Sequence, residues 1–316
     1  MSPNIVLIFL CLVLGVLLRR TGRFPSNAPQ ALNAFVIWVS MPALVLLRVP
    51  ELLEGTAFGA GLLIPVSMAW IQFGLSYFLF RKLGERWAWT RAQTGALILT
   101  AGLANTAFVG LPLLESLLGS ASVPIGLLVD QPGSFLVVST LGILVASMYS
   151  SRAGGRPTRR TLARAVLTFP PFLALFVAVL WSATGEKLPS VARDVLERLA
   201  VTLVPLALIA VGFQLRVSRE VMARKWRPLV LGLGFKLLLA PLTFLLLYVV
   251  CAGATDFVTR VTILEAAMAP MITSAVVAAD FELDTEVANL MVGVGIPLSL
   301  VTVALWNALP IVASLH

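Results

Sequence analysis

Residues 102–112 read Gly102-Leu103-Ala104-Asn105-Thr106-Ala107-Phe108-Val109-Gly110-Leu111-Pro112, in the middle of an apolar run from Gln93 to Leu118. The run is long enough to cross a bilayer as a helix, but glycine, asparagine and proline interrupt it at mid-depth. Hydrocarbon cannot satisfy the backbone groups that an interruption frees, so irregular backbone persists there only where it lines a cavity or is buried in protein. The sequence therefore predicts a broken membrane helix beside a binding cavity.

The composition supports a membrane environment. Hydrophobic residues make up 59% of the 316 residues and charged residues only 12%, which is too little polar surface for a water-soluble protein of this size. The two cysteines, Cys11 and Cys251, lie inside apolar runs, and the single histidine is His316. These residues form no disulfide framework and no metal-ligand spacing, so the sequence predicts no metal and no cofactor.

Ten apolar runs have about the 20 residues that a helix needs to cross the hydrocarbon core. Span 1 ends at Arg19 and Arg20, whereas a signal peptide carries its positive charge before the apolar run, so we expect span 1 to stay in the membrane. The predicted fold is an all-α membrane protein with ten transmembrane helices. The predicted spans are 3–18, 30–47, 57–80, 93–118, 122–149, 163–184, 195–215, 227–251, 257–279 and 287–312.

The distribution of basic residues predicts the orientation of these spans. The loops after spans 1, 3, 5 and 7 contain 17 lysine and arginine residues, whereas the loops on the opposite side contain 5. By the positive-inside rule, both termini lie on the non-cytoplasmic side of the cell membrane. This asymmetry accounts for the net charge of +8, so no nucleic-acid partner is needed. Trp87, Trp89 and Trp226 border the basic loops, as an interfacial aromatic belt requires.

The chain also contains a weak internal repeat. Met41-Pro42-Ala43-Leu44 in span 2 matches Val204-Pro205-Leu206-Ala207 in span 7, and a shift of 165 positions carries Asn105 onto Pro270. The same shift carries Pro132 onto Pro297. We expect two five-helix repeats, residues 1–150 and 163–316, joined by a basic cytoplasmic linker at 151–162. Because five is odd, the second repeat enters the membrane from the opposite side, as in many carriers.

A second interruption lies in span 9, at Glu265-Ala266-Ala267-Met268-Ala269-Pro270-Met271-Ile272-Thr273-Ser274. At about 1.5 Å of rise per residue, Asn105 and Pro270 approach the middle of the membrane from opposite faces. Half-helices that end there direct positive N-termini and unpaired amides at the cavity, which favours an anionic group such as a carboxylate. The alternative is that Pro270 only kinks span 9.

At these residues the chain resembles a known family of carriers. The motif Asn105-Thr106-Ala107-Phe108-Val109-Gly110-Leu111-Pro112 and its counterpart Ala267-Met268-Ala269-Pro270-Met271-Ile272-Thr273 resemble the signatures of the auxin efflux carrier family, one of the bile-acid/auxin-type transporters. The similarity extends to the two proline motifs of spans 2 and 7 and to Lys236-Leu237-Leu238-Leu239-Ala240-Pro241. The sequence departs from the family at Ala107, where glycine is usual, and at Ser274, where asparagine is frequent.

The resemblance implies both a fold and a function. It implies a scaffold of helices 1, 2, 6 and 7 and a transport domain of helices 3–5 and 8–10, whose broken helices 4 and 9 cross at the substrate site. It also implies a homodimer formed through the scaffold helices. The implied cargo is a small organic anion, such as an auxin-like or dicarboxylate acid.

The residues at the two interruptions are the candidate substrate-binding residues. We expect Asn105 and Thr106 to donate hydrogen bonds to the cargo and Thr273 and Ser274 to add hydroxyl groups. Prolines free backbone groups for the same purpose. The full candidate set is Asn105, Thr106, Gly110, Pro112, Pro270, Met271, Thr273 and Ser274.

Three ionisable residues inside spans are candidates for ion coupling. Asp130 and Glu265 each lie about eight residues into their spans, where the charged form of a carboxyl group is disfavoured, so they are candidates to take up and release protons. Lys236 is too deep to reach the surface comfortably and is expected to neutralise one of them. Lys236 has two interpretations, a static pair that joins two helices or a working part of the transport cycle.

The sequence thus predicts a secondary active carrier that moves a small organic anion by alternating access, with protons, or alternatively sodium, as the coupling ion. Two alternatives remain, a cation/proton antiporter of similar crossed-helix fold and a channel or sensor. An enzyme is not predicted, because Asp130 has no aspartate partner within a span and no Ser-His or metal-ligand constellation is present. The chain has no phosphate-binding glycine-rich loop followed by Lys-Ser/Thr, so ATP is not expected to drive transport.

Overall fold

The computed structural model describes residues 3–25, 27–55, 63–150, 160, 167–214 and 219–315. Within these ranges the chain is helical, and the only extended pairing is one isolated bridge between two residues. The predicted linker at 151–162 lies outside the described residues, apart from Arg160.

The helices follow the predicted spans closely, and we number them by span. Six described helices are long and apolar enough to cross a membrane: Ala28–Glu51, Leu63–Arg86, Ser122–Tyr149, Ser190–Gln214, Trp226–Cys251 and Thr285–Ala308. Shorter apolar helices are Thr106–Leu118 and Pro170–Thr184. The elements are α1 (Pro3–Thr21), α2 (Ala28–Phe35 continuing to Met41–Gly55), α3 (Leu63–Arg86), α4a (Arg91–Gly102), α4b (Thr106–Leu118), α5 (Ser122–Tyr149), α6 (Pro170–Thr184), α7 (Ser190–Gln214), α8 (Trp226–Cys251), α9a (Phe257–Ala266), α9b (Ile272–Asp280) and α10 (Thr285–Ala308). Two short helices, Arg219–Arg224 and Pro310–Ala313, precede α8 and follow α10.

Helix α1 packs against the second part of α7, Leu203–Gln214, and α6 packs against the second part of α2, Met41–Gly55. The contact between α1 and α7 depends on two glycines. A Cβ atom on Gly15 would clash with the backbone of Ile209, and one on Gly212 would clash with the backbone of Leu12. Small residues allow membrane helices to approach this closely, so van der Waals contact between the two backbones holds the pair.

Several long helices contain π-helical turns, each of which accommodates one extra residue. Such turns are often found at functional sites. In α5 the turn Asp130–Phe135 contains Pro132, whose missing N–H removes one hydrogen bond from the helix. In α8 the turn Phe235–Leu239 contains Lys236. The two wide turns therefore carry two of the three candidate coupling residues.

Candidate functional site

Both predicted interruptions are present. Helix α4a ends at Gly102, Leu103 is extended with φ −116° and ψ 129°, and α4b begins at Thr106. Helix α9a ends at Ala266, and α9b begins at Ile272 after an extended Met271.

The two interrupted segments pair with each other as a short antiparallel bridge, with Ala104 opposite Pro270. The backbone N–H of Asn105 donates to the carbonyl of Ala269 at 2.8 Å, and the N–H of Met271 donates to the carbonyl of Leu103 at 3.0 Å. Each break thus satisfies part of the backbone that the other one frees, which explains how both persist inside an apolar helix bundle.

The last carbonyl groups of α4a and α9a are each met by a long polar side chain from the preceding helix. In the first half of the chain, the amide of Gln72 in α3 donates to the carbonyl of Ala101 at 3.4 Å. In the second half, the ammonium of Lys236 in α8 donates to the carbonyl of Ala266 at 2.7 Å. Carbonyls at a helix C-terminus carry partial negative charge, so both donors stabilise the helix end, and the lysine does so more strongly.

The N-termini of α4b and α9b differ in how they are capped. The side-chain oxygen of Asn105 accepts a hydrogen bond from the N–H of Phe108 at 3.2 Å, while its buried amide nitrogen, Nδ2, has no partner among the described residues. Met271 supplies no side-chain cap to α9b. The hydroxyl of Ser274 donates to the carbonyl of Met271 at 2.6 Å, so this hydroxyl is used within its own turn.

Asp130 is buried and hydrogen-bonded through both carboxyl oxygens. The hydroxyl of Thr106 donates to Oδ1 at 2.5 Å, and the side-chain amide of Gln131 donates to Oδ2 at 2.5 Å. Asp130 therefore joins the wide turn of α5 to the first residue of α4b. The hydroxyl hydrogen of Thr106 is directed at Asp130, so it is not free to donate to a cargo in this conformation.

Asp130 lines a cavity of about 180 Å³ between α2, α4b, α5, α6 and α9b. Its polar lining comes from Asp130, Ser139 and Thr273, and its apolar wall includes Met41, Phe108 and Met271. Phe135 and Phe169 also line it, and their rings stack with centroids 3.5 Å apart. Ser139, Phe135 and Phe169 were not among the predicted site residues, because nothing in two uniformly apolar spans distinguishes the residues that face one another.

Glu265 is fully buried, and neither of its carboxyl oxygens has a hydrogen-bond partner within the described ranges. Its carboxyl group lies against two glycines. A Cβ atom on Gly110 would be 2.6 Å from Oε2, and one on Gly126 would be 3.0 Å from Oε1. Glu265 does not line the cavity that contains Asp130. It is enclosed between α4b, α5 and α9a, behind that cavity.

Lys236 is also fully buried. We expected it to neutralise a carboxylate, but in the described part of the chain it forms no ion pair with Asp130 or Glu265, and its ammonium donates to the carbonyl of Ala266 instead. It remains close enough to Glu265 for electrostatic attraction. Lys236 thus interacts with two neighbouring residues of α9a. Its ammonium donates to the carbonyl of Ala266 and is attracted by the carboxyl group of Glu265.

Comparison with known proteins shows the family to which the chain belongs. The profile of the family described as "Membrane transport protein" matches residues 1–307. The chain belongs to this family, the auxin efflux carrier family. The resemblance noted in the sequence is therefore confirmed, and the chain is a multi-pass membrane transporter.

Relatives of this transporter align with it from end to end. An uncharacterized transporter of Methanothermobacter thermautotrophicus is 28% identical over 312 residues, 97% of each chain. An uncharacterized transporter of Methanocaldococcus jannaschii is 24% identical over 96% of this chain and 97% of its own. The uncharacterized transporter YfdV of Escherichia coli is 22% identical over 95% of this chain and 94% of its own.

The candidate site residues of the transporter do not share a single cavity. Asp130, Met271 and Thr273 line the cavity, as noted above. Gly110 faces Glu265 behind the cavity, and the ring of Pro270 packs against Gly295 of α10. Pro112 lies elsewhere, in a second cavity of about 420 Å³ that is also lined by Arg48, Glu115 and Glu197. Asn105, Thr106 and Ser274 are buried at the two helix starts between these places.

Proposed function

We propose that this transporter is a secondary active carrier that moves a small organic anion by alternating access, with protons as the coupling ion. The observation that carries the proposal is the position of Asp130, whose carboxyl group lines a small cavity directly beside the paired breaks of α4 and α9. Coupling of transport to protons requires at least a titratable group in the wall of the binding cavity, and Asp130 is such a group.

Three features of the cavity favour a small organic acid. α4b and α9b begin at the paired breaks, where the partial positive charge of a helix N-terminus attracts negative charge. The amide nitrogen of Asn105, buried at the start of α4b next to the cavity-lining Ala107 and Phe108, has no hydrogen-bond partner among the described residues. The aromatic and aliphatic wall suits the carbon skeleton of an acid, and about 180 Å³ is less than the roughly 300–1,000 Å³ typical of pockets for drug-sized ligands.

The same cavity supplies a reason for proton coupling. An anionic cargo and an ionised Asp130 repel each other strongly at short range in a medium of low dielectric constant. The cargo is therefore expected to bind best when Asp130 carries a proton, and binding of one promotes binding of the other. Glu265, enclosed behind the cavity, is a second candidate proton site, with Lys236 tuning its charge.

The contacts between helices support an inverted repeat. The pairing of α1 with α7 corresponds to that of α6 with α2, and the contact of α4a with α10 corresponds to that of α9a with α5. We propose that α1, α2, α6 and α7 form the scaffold, that α3–α5 and α8–α10 form the transport domain, and that α4 and α9 cross at mid-membrane. Exposed apolar side chains of the scaffold, such as Phe9, Leu10 and Phe176, would be covered in a homodimer. From the distribution of lysine and arginine between the loops, we propose that both termini lie outside the cytoplasm.

Uptake into proteoliposomes tests the proposal. We expect the purified transporter to accumulate a labelled carboxylic acid faster as the external pH is lowered, by up to about tenfold per pH unit while Asp130 is ionised in the empty carrier. Asp130→Asn should abolish this pH dependence, and Asp194→Asn, the same change on the exposed surface of α7, should keep it. If uptake by Asp130→Asn retained the full pH dependence, Asp130 would be removed from the mechanism.

The second candidate function is a cation/proton antiporter, which the two buried acids Asp130 and Glu265 favour. In that case sodium would drive proton movement in the same vesicles without any organic acid, and raising the pH would strengthen cation binding. A channel or sensor is distinguished by kinetics. Uptake that saturates with substrate and shows counterflow contradicts an open pore.

A further inference from the structure

A strained turn joins α3 to α4a. Ala88 adopts φ +50°, a left-handed backbone conformation that residues other than glycine rarely take. Trp87 and Trp89 flank it, and their rings meet edge to face with centroids 5.3 Å apart. The N–H of Trp89 donates to the carbonyl of Gly84 at 3.0 Å, which holds the turn closed. Strain of this kind persists where the surroundings enforce it, often at binding sites.

The two indoles form one wall of a surface cleft whose other wall is the start of α8. The cleft has a volume of about 520 Å³ and is completed by Trp226, Arg227, Val230 and Leu231. Trp89, Trp226 and Arg227 also border an adjoining polar basin of about 630 Å³. Together the cleft and the basin form one groove. The groove has an apolar end along α8 and a basic end at the start of α8.

The basic end contains one positive charge that is not neutralised. Arg224 pairs with Glu286 at 2.7 Å, and Lys225 pairs with Asp284 at 2.8 Å. Arg227 forms no ion pair with any acid in the described ranges, and its guanidinium lies over the ring of Trp226, 5.5 Å from the centroid. Stacking on an aromatic face holds a guanidinium in place while its N–H groups remain available to a phosphate.

We propose that this groove binds one anionic phospholipid, with the headgroup phosphate on Arg227 and an acyl chain along Val230 and Leu231. An amphiphile with an anionic headgroup matches a groove that is aromatic and aliphatic at one end and cationic at the other. The groove lies at the end of the molecule that the positive-inside rule assigns to the cytoplasm, where anionic headgroups are recognised by basic pockets. The lipid would join the turn between α3 and α4a to α8, and hence the two halves of the chain.

Native mass spectrometry of the purified full chain tests the lipid site. Phosphatidylglycerol should bind at least about fivefold more tightly than phosphatidylcholine with the same acyl chains. Arg227→Gln should remove this preference, and Arg227→Lys, which keeps the charge but loses the stacked guanidinium, should keep only part of it. Arg219→Gln, an equal loss of charge on the adjacent short helix and outside the groove, is the matched control and should leave the preference unchanged. Trp87→Leu should weaken the binding of both lipids.

Three results would overturn the lipid site. They are equal binding of the two lipids by the wild type, an equal loss of preference in Arg227→Gln and Arg219→Gln, or full competition by water-soluble glycerol phosphate. The last result would reduce the groove to a site for soluble anions. A thermal unfolding curve of each variant separates loss of the site from loss of the fold, and the Arg227→Lys variant keeps the test decisive if Arg227→Gln does not fold.

Discussion

The two helix breaks have similar backbone structures and different charges. At the first, the neutral amide of Gln72 meets the carbonyl of Ala101, whereas at the second the ammonium of Lys236 meets the carbonyl of Ala266. The neighbouring residue also differs. Thr100 precedes Ala101, whereas Glu265 precedes Ala266. The end of α4a is thus met by neutral groups, and the buried acid of the first break, Asp130, lies at the start of α4b instead. The end of α9a has a buried cation and a buried acid beside it.

This difference shows that the freed carbonyl at a helix break needs a hydrogen-bond donor, but does not need a charged one. Both halves need a donor at the end of the broken helix, and either an amide or an ammonium meets that need. Of the two helix ends, only that of α9a adds ionisable groups, Lys236 and Glu265, and the charge of each is costly to bury unless another charge or dipole offsets it. The two breaks are therefore expected to respond differently when their caps or neighbouring groups are changed.

The largest effect is expected from removing the ammonium of Lys236. Lys236→Met should lower the free energy of unfolding by about 2–3 kcal/mol, because it removes a hydrogen bond from a charged donor in a buried site. Gln72→Leu, the corresponding change at the first break, should cost only about 1 kcal/mol. Thermal unfolding in detergent, followed by tryptophan fluorescence, measures both. Equal losses would show that the charge of Lys236 adds nothing to the role of a neutral cap.

A smaller effect is expected at Gly110. Gly110→Ala places a methyl group against the carboxyl of Glu265 and should cost about 2 kcal/mol. Ala275, at the matching position of α9b, already carries that methyl group, and Ala275→Gly should cost about 1 kcal/mol through helix propensity alone. A double-mutant cycle of Gly110→Ala with Glu265→Ala should give a coupling above about 0.5 kcal/mol, because the shorter side chain makes room. Strict additivity would contradict the contact.

The smallest effect on stability is expected at the cap of α4b, which has no side-chain counterpart on α9b. Asn105→Ala should cost about 1 kcal/mol because the N–H of Phe108 loses its acceptor. Asn105→Ser keeps a capping oxygen and should preserve stability, but it lacks the free amide donor and should bind a carboxylate cargo more weakly. Cargo binding by Asn105→Ser at the wild-type level would remove that donor from the site.

The sequence predicted the broken helices well, because Asn105, Pro112 and Pro270 are residues that an uninterrupted membrane helix seldom contains together. The limits of long apolar helices were also close, as for α4b, which ends at Leu118 as expected. The environment of each polar residue was not predictable. Whether Glu265 faces a cavity or two glycines depends on the packing of three helices, and an apolar sequence does not encode which faces meet. The inverted arrangement of the repeats and the orientation of the termini stay predictions.

The glycine contact between α1 and α7 has a mechanical consequence. Where two backbones touch with no side chains between them, sliding one helix along the other would bring Leu12 or Phe213 into a space that admits only hydrogen atoms. These two helices are therefore expected to move together as one rigid pair. In the proposed alternating access, movement is therefore expected at other helix contacts, where side chains separate the two backbones.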